Sequence, residues 1–136
     1  MSVRKVSYCY VTVPNRAGQG VNVLAELKKA RINLLGVSGF PVAGGKAQID
    51  LIAGRMGPIR TLARRKGWQM SKVKKAFMAQ GKDAPGVVHA HARKLAGRGI
   101  NVTAATAVCA GGGRYGSLFW VKGKDYAKAA RALKAR

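Results

Sequence analysis

Residues 6–13, VSYCYVTV, alternate along the chain and are rich in β-branched and aromatic side chains, which predicts a strand closed by Pro14, Asn15 and Gly18. From 19 to 31, Val23, Leu24 and Leu27 recur at helical spacing, while Lys28, Lys29 and Arg31 gather at the end where the helix dipole favours cations. That is an amphipathic helix. Residues 32–42 predict a second strand, AGGK a tight turn, and AQIDLIAG a third strand, forming a hairpin. Residues 57–68 carry Pro one residue into their start and Gly near their end, with Ile59, Leu62 and Ala63 on one side, and predict a second helix. QMSKV can supply a short fourth strand, giving the order βαββαβ.

The pattern then recurs: KKAFMAQ, a helix over 86–98, INVTAATAV, a turn at AGGG, RYGSLFWV and a last helix in KDYAKAARALKAR. At an offset of 68, without a gap, Gly18 falls on Gly86, Leu27 on Leu95, Ile32 on Ile100 and Asn33 on Asn101. The hairpin turns coincide too, Gly44-Gly45-Lys46 over Gly112-Gly113-Arg114. The expected fold is α+β: two ferredoxin-like βαββαβ modules side by side, residues 1–73 and 74–136, each with antiparallel strands on one side and two helices on the other. The second ends in its helix and lacks a last strand. Its edge either stays open or is filled by another segment or subunit, and since exposed edges are usually covered, a homodimer or higher oligomer is expected.

At 136 residues the chain holds one ordinary domain or two small ones that bury a core together. No stretch is long and apolar enough to span a membrane, and MSVRKVSYCYVTV shows no apolar leader, so a cytoplasmic location is expected. Cys9 and Cys109 have no CxxC or nearby His pair and are expected to be buried thiols. The charge is unusual: 26 Lys and Arg against Glu26, Asp50, Asp83 and Asp125 give +22. With 12 basic residues in 1–68 and 14 in 69–136, the charge is spread over a folded surface rather than a tail, and its field attracts polyanions.

Both halves resemble ACT domains, small ligand-binding regulatory modules of amino-acid metabolism. Asp83, Pro85, Gly86, Leu95, Gly99, Ile100 and Asn101 fit the motif of an acid or amide, Pro-Gly, a helix and Gly-Ile-Asn. The first half keeps Asn15, Gly18, Leu27, Ile32 and Asn33, but has Ala17 for Pro, Arg31 for Gly, and Gly20 for an apolar residue. The likeness is strongest to free-standing proteins made of two such modules. It implies a small-molecule ligand, often an amino acid, bound between paired modules against the loop before the first helix and the start of the second strand. The candidate ligand residues are therefore Asn15, Arg16, Gly18, Gln19, Asn33, Asp83, Gly86 and Asn101.

The chemistry suits that role. Gly18 and Gly86 open helices whose first N–H groups lack partners and can receive a carboxylate, and glycine allows close approach. Asn15 or Asp83 could hold an α-amino group, Asp83 by a charge-assisted hydrogen bond, or either could simply shape the turn or cap the helix. Asn33 and Asn101 open strands and either fix register or touch ligand. Gly18-Gln19-Gly20 is no dinucleotide fingerprint, because Val23 stands where a third glycine belongs. His89 and His91 are two apart on a helix and do not converge on a metal, and His91 falls on the buried side. Four scattered acids, and no nucleophile beside a base, argue against an enzyme, and no cofactor is implied.

The alternative is a nucleic-acid-binding or ribonucleoprotein-associated protein, or a basic subunit that joins an acidic protein. The RNA-recognition module shares the βαββαβ order, and RYGSLFWV partly matches its base-stacking strand, although Ser117 stands where an aromatic belongs. Phe119 and Trp120 alternate, so one points away from the helices, covered or exposed as a stacking platform. The expected polyanion stripe is Arg60, Arg64, Arg65, Lys66, Lys72, Lys74 and Lys75, with Trp120 as the stacking residue.

Overall fold

The computed structural model describes residues 2–136, which form seven strands and four α-helices in an α+β, antiparallel arrangement. The chain divides into two compact units, Ser7–Lys74 and Met1–Val6 with Lys75–Arg136. In the first unit, strand β1 (Ser2–Pro14) leads to α1 (Gln19–Lys29), β2 (Gly36–Val42), β3 (Lys46–Ala53), α2 (Gly57–Lys66) and the two-residue β4 (Gln69–Met70). β3 pairs antiparallel with both β1 and β2, and β4 pairs with β1 through Val11 and Thr12. In the second unit, β5 (Lys74–Lys82), α3 (Val87–Ala96), β6 (Val102–Gly111), β7 (Arg114–Val121) and α4 (Tyr126–Leu133) follow the same order. There β7 pairs antiparallel with β5 and β6, and a 3₁₀ turn over Gly123–Asp125 precedes α4.

The repeat seen in the sequence is a repeat in space. An offset of 68 takes the last residue of β1, Pro14, onto Lys82, the last of β5, the first of α1, Gln19, onto Val87, the first of α3, and β3 onto β7 residue for residue. The second strand begins at Gly36 rather than 32, because Ile32, Asn33 and Leu34 carry the chain from the helix without joining the sheet.

The second repeat has no fourth strand of its own, and another segment of the chain fills its edge. β1 begins at Ser2, four residues before the alternating stretch, and is the neighbour of β5. Its opening residues fold with the second unit: Val3 is buried beside Phe77, Ala79, Leu95, Phe119 and Leu133, while the N–H of Lys5 donates to the Arg136 carbonyl at 2.7 Å and that of Arg136 to the Val3 carbonyl at 3.0 Å. Of the outcomes expected for that edge, open or filled by another segment or a subunit, the structure shows another segment of the same chain. The two units meet between Lys74 and Lys75, and Ser2–Val6 group with the later repeat.

Each unit has its own core. In the first, Cys9 and Val11 of β1, Val23 and Leu27 of α1, Leu51 of β3, and Ile59 and Leu62 of α2 meet. In the second, the fully buried Phe77 stacks on Tyr126 at 4.5 Å and on Phe119 at 5.4 Å between ring centroids.

Candidate functional site

In the first unit the turn after β1 runs under the β2–β3 hairpin, tied to it by the Asn15 N–H donating to the Gly45 carbonyl at 2.9 Å. Gly18 then caps α1 with φ 89°, a left-handed conformation that residues with a Cβ adopt only at a cost. No side chain caps the helix, and its first N–H, that of Gln19, donates to the Arg16 carbonyl at 3.3 Å. Beside this terminus lies a cavity of about 300 Å³. Asn15, Arg16 and Gln19 line its polar side, and Val13, Phe40 and Ile49 are among the residues of its apolar wall. Arg16 is the one charged residue in the lining, and Gly20 leaves the wall without a side chain. The arrangement offers a cation, an amide, a helix N-terminus without a side-chain cap and an apolar wall, the parts needed to hold a small carboxylate with an apolar body.

The same turn in the second unit is built alike and furnished differently. Asp83 donates its N–H to the Gly113 carbonyl at 2.8 Å, and Gly86 caps α3 with φ 85° and no side-chain bond. The positions matching Arg16, Gln19 and Gly20 hold Ala84, Val87 and Val88, and Ala47 is matched by Tyr115. Tyr115 is buried, and its hydroxyl lies 3.1 Å from Nε2 of His91, itself 4% exposed and stacked on Phe119. Burial raises the Tyr115 hydroxyl pKa and holds that of His91 below the ordinary histidine value. This histidine is a packed partner of a tyrosine, and His89 is exposed and apart from it.

The other expected residues are dispersed. Asn33 lines a separate hollow with Leu24, Lys28 and Arg31, and Asn101 is exposed ahead of β6. Asp83 accepts a hydrogen bond from Sγ of Cys109 at 3.0 Å. Cys109 is exposed, contrary to the burial expected of it, because every residue of β6 after Val102 lies open. Its bond to Asp83 is the main cause of a raised thiol pKa. Cys9 is buried, and burial, followed by the charge of Asp50, pushes its thiol up to about 11.

The polyanion stripe is divided. Arg60, Arg64, Arg65, Lys66, Lys72 and Lys74 are exposed in the first unit, whereas Lys75 belongs to the second. Lys66 is bonded to Glu26 at 3.0 Å, and Lys74 lies over the Tyr10 ring at 5.6 Å from its centroid. Trp120 is 7% exposed and Phe119 4%, so neither forms the stacking platform that the alternation allowed. Missing from the sequence reading were the hairpin residues Phe40 and Pro41, which contribute to the cavity wall. Their spacing marks them only as strand.

No family model matches the chain, and no curated protein matches it. Solved structures do. A protein of Bacteroides thetaiotaomicron superposes with a TM-score of 0.82 at 14% identity, over 97% of this chain and 88% of that one. The ligand-free regulatory subunit of aspartate kinase from Thermus thermophilus gives 0.63 at 12% identity, over 98% and 95%. A putative C-terminal regulatory domain of aspartate kinase from Porphyromonas gingivalis gives 0.59 at 14%, over 98% and 92%. The chain has the ACT-like fold of these regulatory domains.

Proposed function

We propose that the protein is a non-catalytic regulatory module that binds a small metabolite, an amino acid, in the cavity at the start of α1. The observation that carries this reading is the convergence of Arg16, Asn15, Gln19 and an uncapped helix terminus on a cavity of about 300 Å³ with an apolar wall. The ligand carboxylate meets Arg16 and the α1 N–H groups, Asn15 accepts from its amino group, and the side chain lies against Phe40 and Ile49. Regulatory domains of aspartate kinase, proteins of the same fold, lend the reading a context. The second turn lacks counterparts of Arg16 and Gln19, so Asp83, Gly86 and Asn101 hold structure there and each chain carries one such site.

Pairing of chains belongs to the same reading. The edge first expected to drive it is taken by β1, and the outer strand of the second unit is instead β6, exposed along nine of its ten residues. Val108, 62% exposed, stands on it. Such an edge invites a second copy.

A melting-temperature screen against the amino acids tests the proposal. One or a few should raise the midpoint, and Arg16→Ala should remove the shift with little effect on the unliganded protein. No shift from any amino acid, or a shift that Arg16→Ala leaves whole, would count against it.

A further inference from the structure

Under α4 in the second unit lies a hollow of about 400 Å³, remote in sequence from the turn residues described above. Its uncharged lining is Tyr126, Ala127, Ala130 and Ala135. Around it stand Lys5 from the opening of β1, Lys75 from β5, and Arg131 and Lys134 from the end of α4, with no carboxylate side chain in the lining. Among the described residues the ion pairs join Glu26 to Lys29 and to Lys66, and neither involves these four cations. Like charges gathered at one place repel, and a partner of opposite sign relieves the cost.

The backbone gives a second, independent sign. Gly67 ends α2 in the left-handed conformation at φ 68°, the usual role of glycine in a helix C-cap. Lys134 occupies the same place on α4, with φ 51°. The caps match bond for bond: the N–H of Gly67 donates to Arg64 and that of Trp68 to Ala63, as the N–H of Lys134 donates to Arg131 and that of Ala135 to Ala130. Lysine pays a conformational cost there that glycine does not. At the offset of 67 set by these caps, Arg60 and Trp68 stand on the α2 side where the hollow has Ala127 and Ala135.

We infer that this hollow is an anion site for a small ligand carrying two or more phosphoryl charges, a pyrophosphate or nucleoside polyphosphate. Four cationic side chains from three separated segments can surround a compact polyanion, and the volume suits a ligand no larger than a nucleotide. Tyr126 fixes the wall: its hydroxyl donates to the Ala76 carbonyl at 2.9 Å, its ring stacks on Phe77, and Lys75 lies 5.7 Å from the ring centroid. That ring is held by the core, so recognition is of phosphoryl charge rather than of a stacked base.

Isothermal titration of the intact chain with pyrophosphate and with ATP, at about 150 mM salt where long-range attraction is screened, tests the site. Saturable binding of pyrophosphate, one per chain, is expected. Equal affinity for the two ligands means that only phosphoryl groups are read, and tighter ATP means that the nucleoside adds contacts. Arg131→Gln and Lys134→Gly should each weaken binding roughly tenfold or more, the effect of losing a hydrogen bond to a charged group. Lys134→Gly should at the same time raise the melting temperature by relieving the left-handed lysine. Two controls separate the site from the general charge. Arg31→Gly relieves the same kind of backbone conformation, φ 57°, elsewhere, and Arg64→Gln with Arg65→Gln removes two charges from α2. Both should leave binding intact. Absence of saturable binding, or equal weakening by the α2 double variant, would overturn the inference, as would binding of single-stranded RNA with the same dependence on Arg131 and Lys134 but none of pyrophosphate.

Discussion

Gly20 separates the stability of the first unit from its capacity to bind. It is the second residue of α1 and lines the cavity, and a Cβ built there lies 3.6 Å from Cδ1 of Ile49, an ordinary contact. Gly20→Ala therefore fits without strain and should stabilise the chain by about 0.5 kcal/mol, the lower end of the glycine-to-alanine range because the position is in the first turn. Gly20→Leu keeps that gain, since leucine is nearly as good a helix former, and adds apolar contact with Ile49, but its side chain extends into the 300 Å³ that the ligand needs. Stability and binding then move in opposite directions. An amino acid present at 100 times its Kd stabilises the folded chain by about 2.7 kcal/mol, which at roughly 4 °C per kcal/mol for a chain of this size is about 10 °C. Urea unfolding of the free variants and melting curves with and without ligand measure both quantities. Gly20→Ala should keep most of the shift and Gly20→Leu should lose it while unfolding at the same or higher urea. A full ligand shift in Gly20→Leu would place the ligand elsewhere and refute the assignment.

Three further outcomes follow from the packing. Val3→Ala should cost about 1–2 kcal/mol by removing two buried carbons, and should speed hydrogen exchange at Ala76–Ala79 of β5, whereas an unchanged exchange pattern would show that the opening of β1 does not close the second unit. His91 is held below its ordinary pKa by burial, so the unfolded chain binds its proton first as pH falls; stability should be fully present above about pH 6.5 and decline below it, and His91→Leu should flatten that decline in urea titrations between pH 7 and 5. Asp50 is the reverse case: burial raises its carboxyl although Gln48 donates to it at 2.9 Å and Lys74 lies near, so the folded state holds the proton more tightly and stability should rise as pH falls through the raised pKa toward the ordinary value. Asp50→Asn, which keeps the acceptor oxygen without the charge, should stabilise the protein at pH 7 and abolish that rise, and a loss of stability at pH 7 would contradict the burial argument.

Local signals made most elements readable and left tertiary placement hidden. Pro14, Gly18, Gly67 and the paired glycines of the hairpins punctuate the chain, and strands and helices fall between them with an offset of 68 through β7. Behind the 3₁₀ turn over Gly123–Asp125, α4 starts 69 residues after α2 and is two residues shorter, so their C-caps are 67 apart. Ser2–Val6 carried no such punctuation. Val3 and Val6 are three apart and break the alternation, and nothing local tells that a strand continues backwards to serve another unit. Alternation likewise set Trp120 against Phe119 across the sheet but could not say that both would be buried. The charge shows the same limit most clearly. Density along the chain singled out residues 60–75, where α2 holds its cations on an exposed face with Lys66 already engaged by Glu26. Lys5, Lys75, Arg131 and Lys134 are up to 129 positions apart, and only the folding of β1 and α4 into one unit brings them to one hollow. A run of lysines on a helix is solvated side by side, whereas a polyvalent anion needs cations that converge from different directions, and convergence is a property of the fold.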